Sequence, residues 1–253
     1  MEEKDFVASL RKGVDVLTCF GRSRERLTVT QVARATGATP AAARRSILTL
    51  QAMGFIDGDD HKYWLLPRTL LFAHSYLTSS PLPSLAQPFL DALSERTREA
   101  TSIGMLMDED AIVVARSAAR RCLSTGLGIG SRLPLYCSAL GKVLLASMPQ
   151  EEVQRRVRGM DLRMLTSHTT HTPEAVIELI DDCRKLGYAT NDEELERGVR
   201  SLAVPVYSRG GTTIAAMSIA VRSERTVCHE LRHTYLPLLL SAREELASRL
   251  FDS

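Results

Sequence analysis

The chain has 253 residues, 44% of them hydrophobic, and a formal net charge of +2 at neutral pH. This length suffices for a sizeable core in one or two domains, and the small net charge excludes a polycation. The five cysteines form no C-x-x-C pair, which argues against a disulfide framework and favours a reducing compartment.

The sequence predicts a cytoplasmic protein without a membrane anchor. Its apolar runs fall short of the roughly 18 residues that a membrane span needs. The N-terminal residues MEEKDF are acidic and lack the apolar region of a secretion signal. We therefore expect partners that are found in the cytoplasm.

Positive charge is concentrated near the N-terminus. The stretch from Phe20 to Phe55 contains one acid, Glu25, and six arginines: Arg22, Arg24, Arg26, Arg34, Arg44 and Arg45. A local excess of positive charge favours a polyanionic partner more than the total charge does. Charge alone leaves an ordinary solvated helix surface equally open.

Two helices are predicted before residue 38. Apolar residues recur every three or four positions over 5–20, which indicates an amphipathic helix. Thr28, with Gln31 three residues later, predicts a capping box that starts a second helix. Gly37 then stands where a helix ends most easily in a left-handed conformation.

A third helix carries the features of a DNA-reading helix. Thr39 followed by Pro40 predicts its first turn. Ile47 and Leu50 lie on its apolar face, whereas the opposite face combines small residues with arginine. Small residues allow close approach to a groove floor, and arginine reaches phosphate or guanine.

A two-stranded wing is predicted after this helix. Residues 55–56 and 63–66 are aromatic or branched, and the DGDD between them is typical of a turn. The acids of this turn repel phosphate, which leaves His61 and Lys62 as its cationic candidates. We predict a winged helix-turn-helix DNA-binding domain over 1–66, with DNA contacts from Thr28, Thr30, Gln31, Thr39, Ala41, Ala42, Arg44, Arg45, Thr49 and Lys62.

The remaining chain predicts a linker helix and a second domain. Residues 67–81 form the linker, bounded by prolines at both ends. Over 82–253 the pattern mixes helices and strands, which predicts a single α/β sensor-type domain and an α+β, two-domain chain. Helices are expected over 83–100, 136–148, 173–186 and 226–250, and strands over 101–107, 111–117, 121–127, 201–207 and 212–221.

Motifs for enzyme chemistry are incomplete. The Gly-rich stretch GLGIGSR has Ser131 where a dinucleotide fingerprint needs glycine, and SALGK follows Tyr136 where a phosphate loop needs its first glycine. No G-x-S-x-G elbow occurs. The paired histidines and cysteines lack a second pair of metal ligands. We predict no catalytic site, no metal and no cofactor.

Small polar residues on the predicted core strands indicate a lined cavity, although packing explains them nearly as well. Arg132 precedes the helix that starts near Tyr136, and a guanidinium beside a helix N-terminus suits a carboxylate. We predict an effector site formed by Arg132, Leu135, Cys137, Ser138, Asn191, Arg200, Ser201, Ser218 and Ala220.

The layout resembles the IclR family of bacterial transcriptional regulators across nearly the whole chain. The matching segments begin with TVTQVARATGATPAAARRSILTLQAMGFI and YWLLPRTLLFAHSYL. They continue with SRLPLYCSALGKVLLA, GYATNDEELERGVRSLAVPVYSRGG and AAMSIAV. Within the family, the chain looks most like the regulators of protocatechuate, 4-hydroxybenzoate and β-ketoadipate catabolism.

The resemblance implies a GAF-like effector domain, a homodimer formed through the DNA-binding half, and often a tetramer formed through the other half. It places effector contacts on Leu135, Asn191, Ser201 and Ser218, with Ala220 at a position that is often serine. Asn191 replaces an acid of the family and Ser201 a frequent cysteine. These replacements suit an aromatic or keto acid.

Three functions were compared. The first is a ligand-responsive transcriptional regulator that binds a double-stranded DNA operator and a small carboxylate. The second is a small-acid-binding enzyme of hydrolase type, which the absence of a nucleophile–base pair disfavours. The third is a winged-helix protein-interaction module, which the arginine excess disfavours. We favour the first.

Overall fold

Two units make up the chain in the computed structural model, Met1–Tyr76 (unit 1) and Leu77–Ser253 (unit 2). The described residues are 6–21, 24–118 and 126–252. Arg22 and most of the strand predicted over 121–127 lie outside them. The predicted limits of the linker, 67–81, stay a prediction.

Unit 1 is a winged helix, as predicted. Its hydrophobic core joins the three helices to the first wing strand, with Val16, Val32, Ile47 and Ile56 almost fully buried. Leu27 pairs with the second wing strand, so the wing is fastened to the chain ahead of α2. The elements are α1 (Ala8–Thr18), α2 (Val29–Thr36), α3 (Pro40–Ala52), β1 (Ile56–Gly58) and β2 (Tyr63–Leu65).

The helix-turn-helix is fixed by local hydrogen bonds. The backbone N–H of Gln31 donates to Thr28 Oγ1 at 3.2 Å, and Gln31 Oε1 accepts from Thr28 N at 2.9 Å, which completes the capping box. Gly37 ends α2 with a φ of 66°. Thr39 Oγ1 accepts from the backbone N–H of Ala42 at 3.3 Å and so caps α3. All three features were predicted.

The first helix is present as predicted, but most of its apolar stripe is exposed. Val16 is its buried residue, whereas Val7, Leu10 and Val14 are 60%, 67% and 51% exposed. The first part of the stripe therefore faces outward within unit 1, and Leu17 and Phe20 at its end pack against the core. A 3-10 turn (Pro67–Thr69) follows the wing, and α4 (Leu70–Ser79) then crosses the boundary between the units.

Unit 2 is built on a six-stranded antiparallel sheet in the order β5-β4-β3-β8-β7-β6. The predicted sheet is confirmed, but the sequence missed β5 and β6, which have three and four residues. Its strands are β3 (Ala100–Met107), β4 (Asp110–Ser117), β5 (Arg132–Pro134), β6 (Ala189–Asp192), β7 (Val199–Tyr207) and β8 (Thr213–Arg222).

Helices cover both faces of the sheet. On one face α6, α7 and α8 share a core with the strands, and on the other face α5 and α9 do so. The helices are α5 (Pro81–Thr97), α6 (Ala139–Ala146), α7 (Gln150–Gly159), α8 (Pro173–Leu186) and α9 (Cys228–Asp252). The sequence missed α7.

A β-bulge interrupts the pairing of β3 with β4. Neighbouring β3 residues pair with Ala115 and Val113, so Val114 is an extra residue on β4. In a regular strand, side chains three residues apart face opposite sides of the sheet. The bulge cancels this alternation, and Arg116 faces the same side as Val113.

Candidate functional site

The exposed face of α3 carries the predicted DNA-reading side chains. Ala41, Arg44, Arg45 and Thr49 are exposed. Leu48 was not predicted as a DNA contact, although it is 39% exposed. With 100° between successive residues, its side chain lies between those of Arg44 and Arg45 around the helix. An apolar side chain at this place suits the methyl group of thymine.

The structure corrects the prediction for Ala42. Its side chain is 9% exposed and lies on the buried side of α3, and its backbone N–H is taken by the cap. The helical wheel placed it at the margin of the exposed face. Both α1 and α2 pack against α3 and cover its buried side.

The other predicted DNA contacts lie at the starts of the helices and on the wing. Thr30 and Lys62 are exposed. Thr28, Gln31 and Thr39 take part in the helix caps described above, so their side chains are oriented as well as accessible. Capped helix N-termini favour anions, including the phosphates of DNA.

A basic cleft beside α2 was not assigned from the sequence. Arg24, Arg26 and Arg34 line it together with Gln31. The guanidinium of Arg26 lies 4.3 Å above the ring of Trp64 on the wing. Stacking on an aromatic ring restrains an arginine while leaving its N–H groups free for phosphate. In the sequence, only the excess of arginines between Phe20 and Phe55 pointed to this cleft.

The wing turn is held by Asp59. Its Oδ1 accepts from the backbone N–H groups of His61 and Lys62 at 3.0 and 2.7 Å. These two bonds lower the pKa of the Asp59 carboxyl. The negative charge therefore shapes the turn, and Arg26 lies 3.9 Å away to offset it.

A small cavity lies in unit 2 between the sheet and the start of α6. Its volume is ≈ 50 Å³, enough for roughly three to five water molecules. Its apolar lining includes Val113, Leu133, Leu140, Leu195 and Val199. Its polar lining consists of Ser102, Arg116, Ser138, Asn191, Glu196, Ser201 and Ser218.

Part of the predicted effector site lines this cavity. Ser138, Asn191, Ser201, Ser218 and Ala220 all do so. Asn191 lies on β6. Ser138 caps α6 by accepting from the backbone N–H of residue 141 at 3.1 Å.

Arg132 was wrongly placed in the site. It lies on the edge strand β5, is exposed, and donates to the Asp110 carboxylate through Nη2 at 2.6 Å and Nε at 2.7 Å. Strand β5 was not predicted from the sequence. It places Arg132 at the edge of the sheet, outside the cavity. Arg132 therefore does not line the cavity that the other predicted residues share.

Arg116 takes the position that Arg132 was expected to hold. The bulge at Val114 turns it to the cavity face, and its Nη1 donates to Ser102 Oγ at 3.0 Å. A regular strand over 111–117, as predicted, would place Arg116 on the face opposite Val113. The sequence carries no mark of the bulge, so Arg116 was not predicted at the site.

The remaining predicted residues support the cavity from outside. Leu135 and Cys137 are fully buried, and burial raises the pKa of the Cys137 thiol to about 12. The carbonyl of Cys137 accepts a hydrogen bond from the Asn191 side chain. Arg200 pairs with Asp192 at 2.5 Å and with Glu193 at 3.4 Å, outside the cavity.

The described part of the chain contains no group of three or more His, Cys, Asp or Glu residues that could hold a metal ion. Within the same ranges, every helix is too short or too polar to cross a membrane.

A winged helix with a basic reading helix, together with a second unit that encloses a small polar cavity, defines the class of ligand-responsive DNA-binding regulators. Residues 9–60 match the IclR helix-turn-helix domain, and residues 74–247 match the family described as Bacterial transcriptional regulator IclR C-terminal. The chain belongs to the IclR family of transcriptional regulators.

Curated relatives match nearly end to end. The Pca regulon regulatory protein of Pseudomonas putida is 38% identical over 98% of this chain and 86% of its own length. The p-hydroxybenzoate hydroxylase transcriptional activator of Acinetobacter baylyi is 38% identical over 96% of this chain and 92% of its own. These relatives are regulators, which agrees with the prediction that the chain is not an enzyme.

Solved structures also match this chain over nearly its whole length. A putative transcriptional regulator from Rhodococcus sp. RHA1 is 36% identical, with a TM-score of 0.81 over 97% of this chain and 98% of that one. An IclR homolog from Microbacterium hydrocarbonoxydans, complexed with 4-hydroxybenzoate, is 25% identical, with a TM-score of 0.77 over 97% of this chain and 100% of that one.

Proposed function

We propose that the chain controls genes for the catabolism of an aromatic acid, by binding operator DNA through unit 1 and the acid in the cavity of unit 2. The observation that carries the proposal is an arginine, Arg116, in a cavity that is otherwise lined by hydroxyl, amide and apolar groups and by one carboxylate, Glu196. Such a regulator acts on DNA in the cytoplasm, where we place it.

The cavity chemistry matches a ring with a carboxylate. Its volume of ≈ 50 Å³ is smaller than such an acid, so we expect the cavity walls to move apart as the acid binds. A guanidinium binds a carboxylate through two charge-assisted hydrogen bonds. Leu133, Leu140 and Val199 supply apolar contact for a ring, and Ser201 with Asn191 supplies hydrogen bonds for a ring substituent. The relative that is complexed with 4-hydroxybenzoate supports a ligand of this kind.

In unit 1, we assign base contacts to Arg44, Arg45 and Leu48 on α3. We assign phosphate contacts to the cleft arginines beside α2, to Lys62 and to the helix starts at Thr28 and Thr39. The exposed positions of these groups support the assignment. Phosphate contacts set affinity and salt dependence, while base contacts set sequence preference.

We also propose that the chain is a homodimer through unit 1. Val7 before α1, Leu10 and Val14 on α1, and Phe72 on α4 are exposed apolar side chains, and the last three line a groove. A large exposed apolar surface is typical of an interaction site. Two helix-turn-helix units bind two half-sites about one DNA turn apart.

A panel of acids tests the effector assignment. Thermal unfolding is measured with 4-hydroxybenzoate, protocatechuate, 4-hydroxybenzyl alcohol, succinate and pyruvate. We expect the ring acids to raise Tm, because a ligand of the native state stabilises it. A rise with succinate or pyruvate only, or with the alcohol as strongly as with the acids, contradicts the assignment.

The DNA half of the proposal has a separate test. An operator is selected from random-sequence DNA, and its affinity is measured with and without 4-hydroxybenzoate. We expect binding that weakens steeply with salt and that changes when the acid is added. Affinity that the acid leaves unchanged would separate ligand binding from regulation.

A further inference from the structure

Lys142 and Glu194 form a buried ion pair beside the cavity. Their side chains are 4% and 10% exposed, and Lys142 Nζ lies 2.5 Å from Glu194 Oε1. Glu194 Oε2 has no hydrogen-bond partner within the described part of the chain. Because buried charges with an unsatisfied oxygen are costly, stability alone is a weak reason for this pair.

The pair connects the two walls of the cavity. Lys142 belongs to α6, whose first residues, Ala139 and Leu140, line one wall. Glu194 immediately precedes Leu195, which lines the opposite wall after β6. The pair therefore fixes the spacing between the helix wall and the strand wall.

The strand wall is itself strained. Glu193 has a φ of 60°, a left-handed conformation that is unfavourable for any residue but glycine. Such a backbone persists when its surroundings determine it. On one side, Thr166 Oγ1 donates to the Glu193 carbonyl at 2.7 Å, and Thr169 Oγ1 to the Glu194 carbonyl at 2.6 Å.

Lys142 holds the same wall from the side of α6. Besides its contact with Glu194, its ammonium donates to the Thr190 carbonyl at 3.1 Å. Thr190 is the neighbour of Asn191, which lines the cavity and donates to the Cys137 carbonyl. Displacement of the ammonium would thus release the wall at two points next to a ligand contact.

We propose that the Lys142–Glu194 pair positions the strand wall for effector binding. Neither side chain lines the cavity, so both act through Asn191 and Leu195. The inference rests on the proposed effector function of the cavity. It assigns the pair a role in the affinity for the acid, beyond any role in folding.

A double variant separates positioning from stability. Replacing both charges of a buried ion pair by apolar residues is often neutral or stabilising, so we choose the double variant Lys142→Met with Glu194→Leu. The single variant Lys142→Met leaves the buried Glu194 carboxylate without its partner and should lower Tm. In calorimetry, we expect the double variant to keep a Tm near that of wild type. We expect it to bind 4-hydroxybenzoate about 5- to 30-fold more weakly.

A matched control lies on α7. Arg156 and Glu152 form an ion pair at 2.6 Å away from the cavity. The double variant Arg156→Met with Glu152→Leu should bind the acid as wild type does. Wild-type affinity in the Lys142/Glu194 double variant would overturn the proposal and leave the pair a purely structural role.

A measurement without ligand keeps the two proposals distinct. Amide hydrogen exchange over residues 189–196 of the full chain should be faster in the Lys142/Glu194 double variant, with α7 unchanged. Unchanged exchange would overturn the positioning role. If wild type binds no ring acid, the proposed effector function fails, and exchange alone then decides the role of the pair.

Discussion

Effector affinity should depend on Arg116 and not on Arg132. A hydrogen-bonded charge is worth about 1.5–3 kcal/mol, so we expect Arg116→Ala to weaken 4-hydroxybenzoate binding about 10- to 100-fold. Arg132→Ala removes an equal charge that pairs with Asp110 outside the cavity, and serves as the control. Calorimetry measures both. Equal losses in the two variants would contradict the position given to Arg116.

Two arginines of unit 1 should affect DNA binding in different ways. Arg45→Ala should cost about 1–3 kcal/mol with the selected operator and relax the preference at one base pair. Arg34→Ala should weaken binding evenly across sequences and reduce the salt slope by about 1. Gel-shift titrations at several salt concentrations measure both effects. An Arg45 variant with unchanged affinity would remove this residue from the reading helix.

A buried thiol should make the unfolding free energy depend on pH. Burial raises the pKa of Cys183 to about 12, against 9.0 for a free thiol. Between these values the folded chain keeps a proton that the unfolded chain releases, so stability is fully present below pH 9.0 and falls as pH rises.

Urea unfolding of wild type and Cys183→Ala between pH 8 and 11 tests this dependence. Above pH 9.0, the wild-type free energy should fall more steeply, by up to about 1.4 kcal/mol per pH unit. The comparison uses the slopes, because the substitution also removes packing at every pH. Parallel curves would contradict the raised pKa.

At the scale of elements, the glycine of SALGK is explained by packing rather than by phosphate. A Cβ on Gly141 would overlap the backbone of Leu135, within 2.7 Å of its carbonyl carbon. Helix α6 can approach the preceding loop only without a side chain there. The sequence does not reveal this contact, because it depends on how the chain folds back between Leu135 and Gly141.

Gly141→Ala should therefore destabilise unit 2 by about 1–3 kcal/mol or more, as overpacking against backbone does. Gly159→Ala, at the end of α7, is the control, because a Cβ there meets nothing within 4 Å. Thermal unfolding should show a lower Tm for the first variant and no loss for the second. A small decrease in Tm for Gly141→Ala would mean that the loop before α6 moves to accommodate the added methyl group.

Elements that are marked by residues close together in the sequence were predictable, whereas strands that form only by pairing with a distant strand were not. The caps at Thr28 and Thr39 involve residues three positions apart, so the sequence displays both partners. Strand β6 has four residues and runs into acids, and it is a strand because Ser201 and its neighbours on β7 pair with it. Partners distant in sequence leave no such local trace.

At the scale of the whole molecule, the association of two chains is expected to depend on α1. Leu10 is 67% exposed on the apolar surface of unit 1. Leu10→Asp places a charge in the proposed interface, which should yield monomers and weaken operator binding. Sedimentation velocity measures the mass, and Leu186→Asp, at a 58% exposed leucine of unit 2, is the control.

Dimers of unchanged stability in Leu10→Asp would show that α1 lies outside the interface. The periodic stripe of α1 was predicted from the sequence, but what covers it was not. Periodicity reveals that a helix has an apolar face. It carries no information on whether that face is covered by the same chain or by another one.

The bulge at Val114 lets β4 carry one extra residue while Arg116 keeps its place opposite Ser102. Without residue 114, the pairs of Gly104 with Val113, Ile103 with Ala115 and Ser102 with Arg116 would form an unbroken ladder, so the arginine would stay on the cavity face. A relative whose gene lacks this one codon should therefore keep the same charge in its cavity. An alignment of such relatives should place a one-residue gap here and leave the arginine in register.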